Sequence, residues 1–304
     1  MNSSTPWLVP LWQQLAGQLR AGRLPQGLLL TGSVGVGKAQ LAHRLAQLWL
    51  CQQPEAAQPT AEPAPCGQCQ SCQLWAAGNH PDFRALTGND NGRIGVDEVR
   101  TLQQQIATTA YLGGRRALLI TDASRMSDSA ANALLKTLEE PPSGTLIILT
   151  AVRREALLAT IISRCQHWPL PAPDSQQISA FIAQQHPEQA ASLASLCQQA
   201  PLTALEVATK AQLLPAITLF MQWCRDGRQS AVVADALAKA GAEAITLLWP
   251  LVLALWPVAE RAAAAQRVAK AVAAVQLPGR NLPLVANQLL NSLAALKRAG
   301  RASS

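Results

Sequence analysis

The stretch GSVGVGKAQ at residues 32–40 constrains the fold more than any other part of this 304-residue chain. It follows the short apolar run LLLT at residues 28–31 and precedes a segment with apolar residues at helical spacing. A glycine-rich loop between a strand and a helix presents backbone N–H groups to phosphate oxygens. We therefore predict a nucleotide-binding type of α/β fold. The predicted phosphate cradle comprises Gly32, Gly35, Gly37 and Lys38.

The set of side chains needed for ATP hydrolysis is incomplete in this sequence. Ala39 stands where phosphate loops of this type carry a Ser or Thr hydroxyl for Mg²⁺. The apolar run ALLITD ends at Asp122, where a metal-binding acid belongs, but Ala123 follows where many such ATPases have a water-polarising Glu. Loss of a general base alone costs roughly 100- to 10,000-fold in rate. We predict a loop retained as a scaffold without hydrolysis, while binding of ATP or ADP stays open.

The order of segments predicts three domains. Apolar strands at 117–122 and 145–152 alternate with amphipathic helices, which is typical of a parallel sheet covered on both faces. After a proline-rich linker at 169–174, no further strand pattern is convincing. We expect an α/β domain at 1–167, a small helical domain at 168–208 and an all-α bundle at 209–304.

Cysteines are clustered in one part of the chain. The pattern Cys-x-x-Cys-x-x-Cys places three thiols within seven residues, and a fourth cysteine precedes the loop that leads to them. Four thiolates suit a tetrahedral, closed and therefore structural Zn²⁺ site. We predict one zinc ion in a module at 51–72, bound by Cys51, Cys66, Cys69 and Cys72. His80 is interpreted as a loop histidine, and Cys165, Cys197 and Cys224 as core residues.

Charge and hydropathy indicate which partners the chain could contact and whether it is exported or crosses a membrane. The formal net charge is +7, and this modest basic excess fits contact with nucleic acid or with an acidic partner, or equally well a set of solvated helix faces. The start of the chain lacks the pattern of an export signal. The longest apolar run, at 245–259, is short for a membrane span and contains Pro250 and Pro257. We expect a cytoplasmic protein without a membrane segment.

Taken together, these motifs closely resemble the bacterial DNA polymerase III clamp-loader subunits, which are AAA+ proteins. The resemblance rests on the phosphate loop, the four cysteines, SAANALLKTLEEPP at 129–142 and ISRC at 162–165. It covers about residues 1–167. It implies an AAA+ α/β domain with an inserted zinc module, a small helical lid domain and a helical collar domain that assembles a pentameric ring.

The resemblance also separates two kinds of subunit within this family. Motor subunits, gamma or tau, have a complete phosphate loop, an Asp-Glu pair, a polar sensor pair and a Gly-Ser-x-Arg sensor. This chain departs from the motors at Ala39, Ala123, Ala151-Val152 and QQAPLTAL at 198–205. Each departure points to the delta-prime kind, a non-hydrolysing stator within the polymerase holoenzyme. The implied partners are gamma or tau motor subunits, the delta subunit and primer–template DNA within a ring that loads the sliding clamp.

The resemblance assigns a role to Arg164 of the SRC motif. It implies an arginine finger that reaches the γ-phosphate of ATP bound to the neighbouring motor subunit; an ion pair with Glu155 or another surface acid is the alternative.

Candidates for contact with the DNA backbone are Arg93, Arg100, Arg115 and Arg116. Two other functions stay open: an ATP-hydrolysing gamma/tau-like motor, and a zinc-dependent DNA-binding protein outside a clamp-loader ring.

Overall fold

The chain divides into two compact units, Met1–Ala172 and Pro173–Ser304. The structure, a computed structural model, describes residues 5–33, 35–54, 64–88, 93–107, 109–199, 201–256, 258–275 and 281–302. The first unit is α/β, and helices are the only regular structure among the described residues of the second. The predicted fold class, an α/β domain with a parallel sheet followed by helical structure, is confirmed. The further division of the helical part after residue 208 stays a prediction.

A five-stranded parallel sheet forms the centre of the first unit. Its spatial order is β2-β3-β4-β1-β5. The strands are β1 (Gly27–Thr31), β2 (Phe83–Leu86), β3 (Arg116–Ile120), β4 (Thr145–Ala151) and β5 (Gln166–Pro169). The three inner strands are covered on both faces, which is why they are apolar almost throughout. The edge strands β2 and β5 have mixed burial, and the sequence pattern did not predict them.

Six α-helices accompany the sheet in the described part of this unit. They are α1 (Val9–Arg20), α2 (Lys38–Leu50), α3 (Gln70–Ala76), α4 (Val96–Ala107), α5 (Asp128–Glu139) and α6 (Ala159–Ile162). The start of α5 follows local chemistry, because the Ser127 hydroxyl accepts a hydrogen bond from the Ala130 N–H at 3.1 Å. The helix ends at Glu139, just before Pro141. A short 3₁₀ helix, Pro6–Leu8, precedes α1.

One hydrophobic cluster joins the sheet to the helices on one of its sides. Leu118 and Ile147 of the inner strands meet Leu138 of α5 and Ile161 of α6 in this cluster. Cys165 of the SRC motif belongs to the same cluster and is buried. The turn that carries Arg164 is therefore attached directly to the core.

The second unit contains eight α-helices in its described residues. They are α7 (Ser175–Gln185), α8 (Pro187–Gln199), α9 (Pro201–Thr209), α10 (Leu214–Asp226), α11 (Ser230–Ala240), α12 (Ala242–Leu255), α13 (Val258–Val275) and α14 (Leu282–Ala302). A capping box of Asp174 and Gln177 begins α7, and Gly227 in the left-handed conformation ends α10. Among the described residues, the helices are all too short or too polar to traverse a lipid bilayer.

Candidate functional site

In the phosphate loop, the side chain of Lys38 is hydrogen-bonded to the main chain of the loop itself. The loop leaves β1 at Thr31, and α2 begins at Lys38 after Gly37, whose φ is 102°. The Lys38 ammonium donates hydrogen bonds to the main-chain oxygens of Gly32 at 2.7 Å and Ser33 at 2.8 Å. Burial lowers the pKa of Lys38, while the charge of Asp122 acts in the opposite direction. The cation that would contact phosphates is thus bound to carbonyl groups of the loop.

Packing from outside the loop supports this closed shape. Trp7 of the first 3₁₀ helix donates its indole N–H to the main-chain oxygen of Val36 at 3.0 Å. A Cβ atom on Gly37 would lie 2.9 Å from the Leu8 side chain, and one on Gly32 would lie 3.1 Å from the Val36 side chain. The glycines are therefore needed here for close packing as well as for positive φ. Sequence reasoning missed Trp7, since an isolated tryptophan before α1 has no distinctive spacing.

Asp122 lies past the end of β3, at the carboxyl edge of the sheet, as predicted, but its carboxylate is occupied. One oxygen accepts from the Ser124 hydroxyl at 2.5 Å, and the other accepts from the Arg125 Nε at 2.7 Å. The main chain of Asp122 is in the left-handed region, with φ of 54°. Ala123 is buried in the core cluster, and Ala39 is exposed. The Asp122 carboxylate is thus hydrogen-bonded to two residues of the turn that it begins.

Arg164 lies on the turn before β5 and is held by three acceptors. Its Nη2 lies 2.5 Å from the Glu139 Oε1, and its Nη1 donates to the Thr160 main-chain oxygen at 2.8 Å and the Ser163 hydroxyl at 3.3 Å. The side chain stays 33% exposed. The alternative partner suggested from the sequence, Glu155, lies instead 3.7 Å from Arg154.

The four clustered cysteines converge. Their Sγ atoms all lie within 4.8 Å of one another, and three of the separations are 4.0 Å (Cys51–Cys69), 3.9 Å (Cys66–Cys72) and 3.7 Å (Cys51–Cys72). Four thiolates around a tetrahedral zinc, with Zn–S bonds of about 2.3 Å, stand about 3.8 Å apart. The cluster could therefore bind one zinc ion.

Main-chain N–H groups point at these sulfur atoms. The N–H groups of Cys66, Cys69 and Cys72 lie 3.3 to 3.5 Å from the sulfurs of Cys51, Cys66 and Cys69, respectively. Burial raises the pKa of Cys69, but the N–H groups of Cys72 and Gln52 and neighbouring thiols outweigh burial and bring that pKa to about 6. At Cys69 the main chain thus favours the thiolate that a metal needs, whereas burial raises the pKa of Cys51 and of Cys72.

His80 fixes the cysteine module to the domain. Its Nδ1 accepts from the Asp82 N–H at 3.1 Å, so its Nε2 carries the proton and donates to the Ser71 hydroxyl at 2.8 Å. The Ser71 hydroxyl in turn donates to the Leu50 main-chain oxygen at 2.8 Å. His80 is buried and lies outside the four-cysteine cluster. It lies in the loop before β2, as predicted, but it is a fully bonded core residue.

Aromatic packing completes the attachment of the module. The Trp75 ring of α3 lies 4.6 Å from the Phe83 ring of β2, and the His43 ring of α2 lies 5.3 Å from that of Phe83. The module is therefore packed against both a sheet strand and the helix that follows the phosphate loop.

The four arginines predicted to contact DNA do not share one edge of the sheet. Arg116 begins β3 at the amino edge, is buried, and donates to the Ile106 main-chain oxygen, so it is unavailable to DNA and this prediction is wrong. Arg115, the preceding residue, places its guanidinium over the ring of Trp49. Arg93 precedes Ile94, which pairs with Met126 beyond the carboxyl end of β3. Arg100, in α4, lies 3.7 Å from Asp97.

The comparison with known families covers this whole site. Residues 9–174 match the family model described as DNA polymerase III, delta subunit. The chain is 39% identical over 193 residues to DNA polymerase III subunit delta' of Escherichia coli strain K12, which covers 63% of this chain and 56% of that protein. It is 40% identical over 204 residues to DNA polymerase III subunit delta' of Pseudomonas aeruginosa, with 66% and 60% covered. The matched region thus spans a little over half the length of these relatives.

A solved structure shares the fold over nearly the whole chain. It is a gamma subunit-related protein of DNA polymerase III from Thermotoga maritima, with a TM-score of 0.58 and 18% identity. The alignment covers 93% of this chain and 99% of that chain. At this identity the likeness concerns the fold alone.

The family match, in contrast, includes the phosphate loop, the four cysteines and Arg164, and it covers more than half of the sequence. This chain therefore belongs to the DNA polymerase III delta subunit family.

Proposed function

We propose that this chain is a delta-prime-type subunit of a DNA polymerase III clamp loader. It completes a ring with gamma or tau motor subunits and a delta subunit, and the ring loads the sliding clamp on primed DNA. Its own role is that of a stator, which does not hydrolyse ATP. The proposal is supported by membership of the family and by 39 to 40% identity to curated delta' subunits over the region that carries the site.

The observation that carries the stator role is alanine at positions 39 and 123, beside the engaged side chains of Lys38 and Asp122. These are the two charged groups that would act on a nucleotide and its metal ion. The Lys38 ammonium is bound to two carbonyl oxygens of its own loop, and both Asp122 oxygens are bound to Ser124 and Arg125. With alanine at 39 and 123 as well, neither a metal hydroxyl ligand nor a water-polarising acid is present at these positions.

Arg164 would supply catalysis to the neighbouring motor subunit. An arginine inserted from one subunit stabilises the charge that develops on the transferred phosphoryl group of another, an effect of about 1,000- to 100,000-fold in turnover. A one-third-exposed guanidinium, held on a turn attached to the core, suits such a role. The phosphate loop and the guanidinium would then serve two different subunits.

Zinc would have a structural role in this proposal. Cys51, Cys66, Cys69 and Cys72 would hold one ion in a closed four-thiolate site, which leaves no open position for a substrate. Binding of the ion would stabilise the folded module, because the four thiolates are close together only in the folded chain. Contact with primer–template DNA stays a prediction, for which Arg93, Arg100 and Arg115 are the remaining exposed candidates.

The test uses the full-length chain, first alone and then reconstituted with motor and delta subunits. Alone, it should neither hydrolyse ATP in the presence of Mg²⁺ nor bind primed DNA with the steep salt dependence of an independent DNA-binding protein. In the complex, Arg164→Ala and Arg164→Lys should lower DNA-stimulated ATP turnover at the adjacent motor subunit at least 100-fold. Arg154→Ala, which removes an equally charged exposed side chain, is the matched control and should retain full turnover.

Two results would contradict the proposal. Rapid ATP hydrolysis by the chain alone would identify it as a motor, and full turnover by the Arg164→Ala complex would exclude the arginine finger. Tight DNA binding by the isolated chain, together with a failure to join the motor subunits, would favour a zinc-dependent DNA-binding protein instead.

A further inference from the structure

We infer that Glu139 is the positioning residue for Arg164, which fixes the guanidinium in the orientation that a neighbouring phosphate requires. This inference rests on the proposed function, because it concerns the same arginine. Glu139 is the last residue of α5, in the LEEPP motif, and Arg164 lies 25 positions later in the SRC motif. The two motifs thus meet in a single ion pair.

The three contacts of Arg164 have different origins. Thr160 and Ser163 belong to the same turn as the arginine, and both contact Nη1. Glu139 comes from a separate helix and contacts Nη2 at 2.5 Å. The two local contacts hold only the Nη1 atom, so the guanidinium group could still rotate about that atom. A second anchor on Nη2, from outside the turn, fixes the plane itself.

The ion pair is positioned by the core. Leu138 immediately precedes Glu139, and Cys165 immediately follows Arg164; both Leu138 and Cys165 are buried in one hydrophobic cluster with Ile161. Each charged residue is therefore adjacent to a side chain that packing holds in place. The carboxylate and the guanidinium meet because the two elements are packed together, and their separation follows the positions of these two core residues.

Fold stability does not account for this pair. The side chains of Arg164 and Glu139 are 33% and 49% exposed, and ion pairs with this exposure add little to stability. Arginine loses considerable rotamer freedom when it binds an anion, and a side chain that is already ordered loses less. Three of the five guanidinium N–H donors are used in the present contacts, so the remaining donors are available to a phosphate. Ordering Arg164 in advance is thus the effect that Glu139 can provide.

The test compares Glu139→Gln with Glu140→Gln in the full-length chain reconstituted with motor and delta subunits. Glu140 is the next residue, is also exposed, and its replacement removes the same charge. We expect Glu139→Gln to lower the kcat of DNA-stimulated ATP turnover about 2- to 10-fold, the effect of disordering one long side chain. The KM for ATP and the affinity of complex assembly should stay unchanged, and Glu140→Gln should behave as the unmodified chain.

A double variant separates positioning from a structural effect. In a background of Arg164→Ala, the Glu139→Gln change should have no further effect on kcat, because the group it orients is gone. The inference is overturned if Glu139→Gln matches Glu140→Gln, if it raises turnover, or if it lowers kcat equally in the Arg164→Ala background. Failure of the proposed function gives a different result, in which Arg164→Ala itself leaves turnover intact.

Discussion

Gly27 leaves no room for a side chain beneath the main chain of Arg164. A Cβ atom on Gly27 would lie 2.9 Å from the Arg164 carbonyl oxygen and 3.6 Å from the Cys165 Sγ. Gly27 is the first residue of β1, and β5, which begins two residues after Arg164, pairs with β1 in parallel. The turn that presents the guanidinium thus rests directly on the strand that leads to the phosphate loop.

The first prediction follows from this contact. Gly27→Ala should displace the Arg164 turn and lower the free energy of unfolding by about 1–3 kcal/mol, the usual cost of overpacking. The reconstituted complex should also lose DNA-stimulated ATP turnover. Gly17→Ala in α1 is the control, since a Cβ there meets no atom within 4 Å and should be neutral or stabilising. Equal behaviour of the two variants in thermal unfolding and turnover would contradict the prediction.

Zinc content provides the second prediction. The purified chain should hold one zinc ion, and Cys69→Ser should hold far less, because three thiolates close the site poorly. Cys224→Ala, a cysteine outside the cluster, should keep the metal. Removal of zinc by a chelator should lower the unfolding temperature of the first unit, as measured by calorimetry together with metal analysis. A chain that unfolds at the same temperature with and without metal would argue against a structural site.

The third prediction concerns pH and His80. Burial lowers the pKa of His80 below its usual value, while Asp82 acts to raise it, and the Asp82 N–H already occupies Nδ1. The folded state therefore binds fewer protons than the unfolded state once the pH falls below about 6.5. Stability should decrease as the pH falls through this range. NMR titration of the ring, assigned with His80→Gln, should give a pKa below 6.5.

The pH dependence of unfolding checks the same residue independently. The loss of stability between pH 7 and pH 5.5 should be smaller in His80→Gln than in the unmodified chain, since one of the groups that bind protons on unfolding has been removed. A His80 ring that titrates at or above 6.5 would show that its Nδ1 is accessible to a proton in the folded state.

Restoring motor residues should not restore hydrolysis. Ala39 is exposed, so Ala39→Ser should leave stability nearly unchanged. ATP turnover by the isolated chain should remain at background, because position 123 still lacks a water-polarising acid. Ala123→Glu should be harmful, since that position is 1% exposed and an unpaired carboxylate would be buried there. Chemical denaturation should show a loss of several kcal/mol, about 2–5, for this variant. Measurable hydrolysis by either variant would contradict this prediction.

The fifth prediction addresses the helical unit. The Lys297 ammonium of α14 donates to the main-chain oxygens of Trp223 at 3.1 Å and Cys224 at 2.5 Å, in the last turn of α10, and lies 5.2 Å from the centre of the Trp223 ring. Lys297→Met should lower the free energy of unfolding by about 1–3 kcal/mol, because charged donors to helix-end carbonyls are lost. The exposed neighbour Arg298, replaced by Met, is the control; an equal loss in both variants would exclude this capping role.

The sequence was informative where one local pattern determines the structure. The inner strands are apolar on both faces, so they could be recognised from composition, whereas the edge strands Phe83–Leu86 and Gln166–Pro169 depend on a neighbour for their pairing and have no such signal. The cysteine spacing likewise predicted a cluster that the fold brings together.

Contacts between distant segments could not be predicted in this way. The sequence suggested Glu155 as an acid beside Arg164, since it is close in the chain, but packing of α5 against the SRC turn brings Glu139 there instead. Arg116 looked like a surface cation beside Arg115, yet it donates to the Ile106 main chain inside the domain. In both cases the deciding factor is which distant elements pack together, and local patterns along one sequence do not show this packing.

The parallel pairing of β1 and β5 has one remaining consequence. The phosphate loop follows β1 at one end of this strand pair, whereas Arg164 precedes β5 at the other end, roughly 15 Å away at ~3.3 Å per residue. A phosphate held in the loop would therefore lie beyond the reach of Arg164 of the same chain.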